Sequence, residues 1–253
     1  MANLTELSQE KHKHLGVLPE KSVEHASKQH LINIRVTEVP RAVSSFPVFY
    51  TRKTNSRDWA ISALANIKPG ESLFVKDGVW DALYQPSVIR TYPLYLMQTN
   101  DERKYTIGII EESDAFSKSA GEALFDEAGR PSLMLNEMQK LLENSIKEDI
   151  QTFQFTQKLD TLGLLKPVDI LVHFQDGSAQ TLTGMSTINE DRLLSLNGEQ
   201  LEELNQLGYL TPIQASLISI YQIHELVRRN NAQDGNDKID NIRLEIARER
   251  PLV

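Results

Sequence analysis

The chain has 253 residues, a net charge of −8 and no cysteine; 40% of its residues are hydrophobic and 25% are charged. That balance is typical of a chain that folds around a buried core. The absence of cysteine excludes disulfides, thiolate nucleophiles, zinc ribbons and iron–sulfur clusters. The acidic charge disfavours a nucleic-acid partner and adsorption to anionic lipid, because both require a basic surface.

The first part of the chain is polar. Residues 1–28 show no sustained apolar periodicity, so we predict a leader that is extended or drapes over the surface. This segment lacks the apolar core of a secretory signal, and no stretch approaches the roughly 20 apolar residues of a membrane helix. We therefore expect a soluble, cytoplasmic protein without membrane insertion.

Short strands are predicted next. Residues 30–39 and 46–50 are rich in β-branched and aromatic side chains, and Pro47 marks the second run as an edge strand or a strand start. An apolar block follows at 59–67, and residues 73–75 form a strand fragment that ends at a turn.

Two hairpins are predicted. Residues 89–98 and 104–111 flank a polar five-residue loop, which indicates an antiparallel pair. The clearer hairpin joins 168–174 to 179–185. Its Asp176-Gly177 pair predicts the two positive φ angles of a type I′ turn.

Helices dominate the remainder. A long central helix runs from residue 135 until Gly163 ends it. One apolar stripe defines its buried face: Leu135, Met138, Leu142, Ile146, Ile150 and Phe153. In the C-terminal third, Asn197 caps a helix over 199–207, and Thr211-Pro212 opens a largely apolar helix that ends at Arg229.

The composition changes after Arg229. Residues 230–237 are predicted to form a polar linker, and Ile239, Ile242 and Ile246 at helical spacing indicate either a short docking helix or a tail that does not fold. The predicted organisation is a leader, one domain and a linker with its tail, at 1–28, 29–229 and 230–253. Strands and helices without a βαβ repeat predict an α+β fold, an antiparallel sheet with packed helices.

The stretch from Gly70 to Leu96 concentrates aromatic and charged side chains. An arginine among aromatic rings can form a pocket for an anionic or planar ligand. The candidate ligand-binding residues are Glu71, Trp80, Tyr84, Arg90 and Tyr92. The alternative, which we favour, is that the rings anchor the core and the arginine pairs with a carboxylate.

No catalytic residue, cofactor or metal is predicted. The sequence contains no Gly-x-Ser-x-Gly elbow, no phosphate-binding glycine loop and no His-Glu-x-x-His. His12 and His14 could meet one metal ion only on an extended segment, so we expect them to be solvated. His173 and His224 lie in apolar patterns and are expected to be core or boundary residues.

Several runs match the pattern of one family: 70–75 (GESLFV), Trp80, 84–86 (YQP), 89–94 (IRTYPL) and 121–126 (GEALFD). With 46–50 (FPVFY), they resemble the SapC family of Gram-negative bacteria over roughly residues 28–229. Thr91 stands where the family often has a second arginine, and Ser72 replaces its usual asparagine.

The resemblance implies a role rather than a reaction. The family's name comes from a surface-layer gene cluster, which implies an accessory part in the export or assembly of surface-layer proteins, and no catalytic residue carries over. We therefore predict a non-catalytic accessory protein that binds a partner protein. The alternative is a small-molecule-binding protein or enzyme partner with a pocket around Arg90, Tyr92 and Trp80.

Overall fold

The computed structural model of the protein describes residues 4–53, 56, 58–99 and 104–247. The strands are β1 (Thr5–Glu6), β2 (Gly16–Val17), β3 (Leu31–Ile34), β4 (Val48–Arg52), β5 (Trp59–Leu64), β6 (Val75–Lys76), β7 (Val79–Trp80), β8 (Tyr95–Gln98), β9 (Tyr105–Ile109), β10 (Phe116–Ser117), β11 (Glu122–Ala123), β12 (Leu165–Phe174), β13 (Ala179–Ile188) and β14 (Ile239–Ile246). The helices are α1 (Gln9–His12), α2 (Pro19–Ser27), α3 (Val39–Ala42), α4 (Ser87–Thr91), α5 (Leu133–Thr161), α6 (Glu190–Leu194), α7 (Gly198–Gln206), α8 (Leu210–Ser219) and α9 (Ile223–Ala232), with a 3₁₀ turn at Ile220–Gln222.

The predicted α+β class is confirmed. Helix makes up 37% and strand 28% of the structure, the sheets are antiparallel, α5 is the long central helix, and further helices follow it.

The largest sheet has six strands in the order β14-β12-β13-β4-β5-β3. α5 packs against β5, while α8 packs against β4 and β13. The main core lies between these layers, where the Phe155 ring lies 6.5 Å from Tyr50 and 5.0 Å from Tyr209.

Residues 5–27 do not form the predicted leader that is extended or drapes over the surface. β1 pairs with β9, and β2 lies between β10 and β11. Around these small sheets lies a second apolar cluster, made of Val17, Leu94, Ile109, Leu124, Phe125, Leu135 and Leu142. A strand of two residues is too short to show a periodicity in the sequence. The strands that pair with β1 and β2 also lie far along the chain.

The C-terminal tail forms a strand, so neither of the two predicted alternatives, a short docking helix or a tail that does not fold, is found. β14 pairs antiparallel with β12 and forms one edge of the six-stranded sheet. The pairing shifts between His173 and Phe174, whose partners are Asn241 and Ile239, so Asp240 is an extra residue in a bulge. A bulge puts Ile239 and Ile242 on the same face at a spacing of three, which imitates the periodicity of a helix.

α5 is confirmed, but its buried face differs from the predicted stripe. Ser132 caps its first turn by accepting a hydrogen bond from the Leu135 N–H, and Gly163 follows its last turn with φ 66°. Ile150 is 55% exposed and Phe153 is 39% exposed, whereas Ser145 and Thr156 are buried. The two buried hydroxyls donate to carbonyls of their own helix, which satisfies them inside the core.

Both hairpins are present. β12 pairs with β13, and β8 pairs with β9. β8 begins only at Tyr95, because residues 87–91 form α4 instead of extending the strand. The polar loop of this second hairpin includes residues 100–103, which lie outside the described residues.

The turn between β12 and β13 differs from the predicted type I′ geometry. Gly177 has a φ of 87°, but Asp176 is not among the described residues with positive φ. The Gly177 N–H donates to the Phe174 carbonyl at 3.0 Å. Asp176 Oδ1 accepts from both the N–H and the hydroxyl of Ser178, which fixes the loop with a single left-handed residue.

The C-terminal helices are confirmed in part. Asn197 forms a capping box with Gln200 at the start of α7, and α6 precedes it as a further short helix. The single helix predicted from 212 to 229 is wrong, since the 3₁₀ turn at Ile220–Gln222 separates α8 from α9.

Candidate functional site

The five predicted site residues lie in three separate places. Glu71 is exposed and pairs with Lys68 at 2.9 Å. Trp80 and Tyr84 pack against the main core. Arg90 and Tyr92 line a cleft. The structure therefore brings two of the five together at a surface that a ligand can reach.

Tyr84 is held by a buried carboxylate that the sequence analysis did not single out. Glu38 is 2% exposed, and its Oε1 accepts hydrogen bonds from the Tyr84 hydroxyl at 2.6 Å and the Ser87 N–H at 2.8 Å. Its Oε2 accepts from the Arg35 N–H at 2.9 Å. The sequence did contain a signal for this network, since Glu38 is an acidic residue inside an apolar run. Such a residue needs hydrogen-bond partners when it is buried.

Trp80 and Tyr84 are held by contacts within the protein. The Trp80 Nε1–H donates to the Tyr84 carbonyl at 3.1 Å, and the Trp80 ring lies 6.2 Å from that of Phe46. The Arg41 guanidinium lies 5.2 Å from the Tyr84 ring centre. Burial raises the pKa of the Tyr84 hydroxyl, and its bond to Glu38 raises it further, so this group acts as a hydrogen-bond donor.

The Arg90 cleft is lined by α4 with the residues on either side of it, and by the N-terminal segment that contains β2 and α2. Its volume is about 300 Å³, at the lower end of the range for small-molecule sites. α2, α4, β2, β11 and the first turns of α5 contribute side chains. The lining residues are Val17, Pro19, Ser22, Val23, Gln85, Arg90, Thr91, Tyr92, Pro93, Leu94, Glu122, Met134 and Met138.

Arg90 is the cationic side chain of this cleft. It is exposed, and its guanidinium makes no hydrogen bond or ion pair with the residues that the structure describes. Two other arginines of the fold are engaged: Arg35 bonds Asp149 at 2.7 Å, and Arg229 bonds Asp81 at 2.8 Å. The predicted pairing of Arg90 with a carboxylate is therefore not found, and its five N–H donors face the cleft or solvent.

Two helices are fixed to each other beside Arg90. The His25 ring of α2 stacks on the Tyr92 ring, with 4.0 Å between centroids and 10° between planes. The Ser22 hydroxyl donates to the Ile89 carbonyl at 2.8 Å. These contacts hold α2 against α4, so the two walls of the cleft are positioned before any ligand binds.

Burial lowers the pKa of His25 below its ordinary value of 6.5, and the charge of Lys28 lowers it further. The unfolded chain therefore binds a proton at a higher pH than the folded chain does, and stability is lost as the pH falls below about 6.5. We expect the His25 ring to titrate below 6.5 in an NMR titration of imidazole shifts. Titration of His25 at or above 6.5 would contradict the packing of this ring.

Three other histidines, His12, His173 and His224, differ from their predicted settings. His12 is 3% exposed: its Nδ1 accepts from the Ser8 N–H, and its Nε2 lies 3.1 Å from Glu111 Oε1. It is thus a buried structural residue and not a solvated one. His173 and His224 are exposed rather than part of the core. Within the described parts of the chain, no group of three or more metal-ligating side chains could hold an ion.

Among the described residues, every helix is too short or too polar to cross a bilayer.

Comparison with known proteins gives one match. The family model described as SapC matches residues 7–226, which is well over half of the chain. No curated protein matches. No solved structure matches either. The matched span contains the whole Arg90 cleft, including the run 89–94 that carried the resemblance in the sequence. The chain therefore belongs to the SapC family.

Proposed function

We propose that this protein is an accessory protein whose Arg90 cleft binds a small amphipathic carboxylate. The observation that carries the proposal is the guanidinium of Arg90, which has no partner among the described residues, at a cleft with a largely apolar lining. A guanidinium presents a planar fork of donors that matches a carboxylate. A ligand with an apolar body and one carboxylate would satisfy both parts of the cleft.

The apolar wall supports this ligand class. Met134 and Met138 project from the first turns of α5, and Leu94 and Val17 come from the second apolar cluster. Methionine is unbranched and adapts its shape, so a pair of methionines accommodates ligands of different outline. Tyr92 adds an aromatic face that is already fixed by His25.

One carboxylate of the cleft works against an anion. Glu122 of β11 is exposed and lines the same cavity as Arg90. Its charge repels a second negative group, so it selects ligands with a single carboxylate over dianions. Glu122 also provides a control, because its removal has the opposite effect on anion binding from the removal of Arg90.

Calorimetry with octanoate tests the proposal, with octanol and octylamine as matched ligands. We expect octanoate to bind and Arg90→Gln to weaken binding about 10- to 100-fold, since a hydrogen bond to a charged group contributes about 1.5–3 kcal/mol. Glu122→Gln should tighten binding. Arg228→Gln is the control, because Arg228 pairs with Glu225 outside the cleft.

Two outcomes would refute the carboxylate site. One is equal affinity for octanoate and octanol, which would show that the guanidinium plays no part. The other is unchanged octanoate affinity in Arg90→Gln while the variant keeps the melting temperature of the parent protein.

A part in the export or assembly of surface-layer proteins, through a protein partner, is the second candidate. Family membership is what favours it. Deleting the gene and measuring surface-layer protein at the cell surface tests this role. An unchanged surface layer would exclude it while leaving the ligand site intact.

A further inference from the structure

We propose that two copies of this chain dimerise by antiparallel pairing of their β14 strands, which joins two six-stranded sheets edge to edge. β14 is the terminal strand of the largest sheet, and its outer edge pairs with no strand within residues 4–53, 56, 58–99 and 104–247. An edge strand of eight residues offers a ready template for another strand.

The backbone directions show which groups are free to pair. The Ala247 N–H donates to the Pro167 carbonyl of β12, so Ala247 faces inward. Since hydrogen-bonding direction alternates along a strand, the N–H and C=O groups of Ile242, Leu244 and Ile246 point away from β12. The β12 strand agrees with this assignment. The Phe174 N–H donates to the Ser178 carbonyl on the β13 side, so Phe174 does not use its N–H to bond β14.

At the Ile239 end of β14, a side chain already occupies the outer edge of the strand. The Asn231 side chain accepts from the Ile239 N–H and donates to the Ile239 carbonyl, both at 2.8 Å. The Asn231 amide thus makes the two hydrogen bonds to Ile239 that the backbone of one residue in a neighbouring strand would otherwise make. The segment from Ile242 to Ile246 is left open, and this defines where a partner strand can add.

Charge selects one register for the pair. With Leu244 opposite its own copy, Ile242 lies opposite Ile246 of the second copy, and Arg243 lies opposite Glu245 in both directions. These Arg–Glu positions are of the non-hydrogen-bonded kind, in which side chains approach most closely. Sliding by one step in either direction puts Arg243 opposite Arg243 or Glu245 opposite Glu245, so the neighbouring registers are repelled.

One feature of β14 is explained by this pairing. Ile246 is 71% exposed although it shares a face with Ile242, which packs on the core. In the dimer, Ile246 contacts the Ile242 side chain of the other copy.

Sedimentation equilibrium of the full chain at low ionic strength tests the dimer. We expect Arg243→Glu and Glu245→Arg each to weaken dimerisation about tenfold or more, because two symmetric pairs become like-charged in each variant. The double variant carrying both changes restores the opposite charges and should return the dimer. A wild-type chain that stays monomeric at every concentration at which it remains in solution would overturn the proposal, as would a double variant no better than the single ones.

Cysteine cross-linking tests the register. The chain has no cysteine of its own, so introduced thiols report without background. A mixture of Arg243→Cys and Glu245→Cys chains should oxidise to a disulfide-linked heterodimer, since the facing Cα atoms would be about 4.5 Å apart. Each variant alone should cross-link far less. Equal cross-linking in the separate and mixed samples would show that another register or another surface is used.

Discussion

Replacing Glu38 with alanine is expected to lower the free energy of unfolding by about 3–5 kcal/mol. The Glu38 carboxylate accepts hydrogen bonds from Tyr84, Ser87 and Arg35 while being 2% exposed. Its removal leaves three partly buried donors without partners, and such groups cost more than an average hydrogen bond contributes. Chemical denaturation followed by circular dichroism measures the change.

Two variants isolate the cause. Tyr84→Phe removes one of the three donors and should cost about 1–2 kcal/mol. Glu71→Ala removes an exposed carboxylate that pairs with the exposed Lys68, so stability should change by less than about 0.5 kcal/mol. If Glu38→Ala were as mild as Glu71→Ala, this buried network would not hold α3 and α4 together.

Phe155→Ala is the second large effect, with an expected loss of about 3–5 kcal/mol. Phe155 is fully buried between the rings of Tyr50 and Tyr209. Truncation removes transfer free energy and leaves a cavity that neighbouring helices and strands fill only in part. The free energy of unfolding in urea measures the loss.

Phe153→Ala is the matched control, since it makes the same substitution two residues earlier on α5. Phe153 is 39% exposed, so its truncation should cost about 1 kcal/mol or less. Equal losses for both variants would mean that the buried face of α5 follows the stripe expected from sequence and not the face in the structure.

Long elements with local signals were predictable. α5, α7 and the β12–β13 hairpin each carry a cap, a repeat or a turn within their own sequence. β1, β2 and β14 carry none, because their stability comes from strands distant in sequence. The tail misled further, since the bulge at Asp240 changes a strand's period of two into a spacing of three.

The candidate site was predictable only in its composition. The dense stretch from 70 to 96 does contain Arg90 and Tyr92, which meet at the cleft. The sequence could not separate these two residues from Glu71, Trp80 and Tyr84. Only the tertiary fold decides which of the five side chains face a cavity. His25 and Glu38, which fix Tyr92 and Tyr84, come from segments read as a leader and as a strand.

The position of β2 between β10 and β11 has a consequence for synthesis on the ribosome. Gly16 and Val17 are made early, but the second of their partners, Glu122 and Ala123, emerges only after about half of the chain. Until then the nascent N-terminal segment has no sheet to join, and its apolar side chains remain available to chaperones. The residues translated first thus acquire these neighbours only after the middle of the chain has been made.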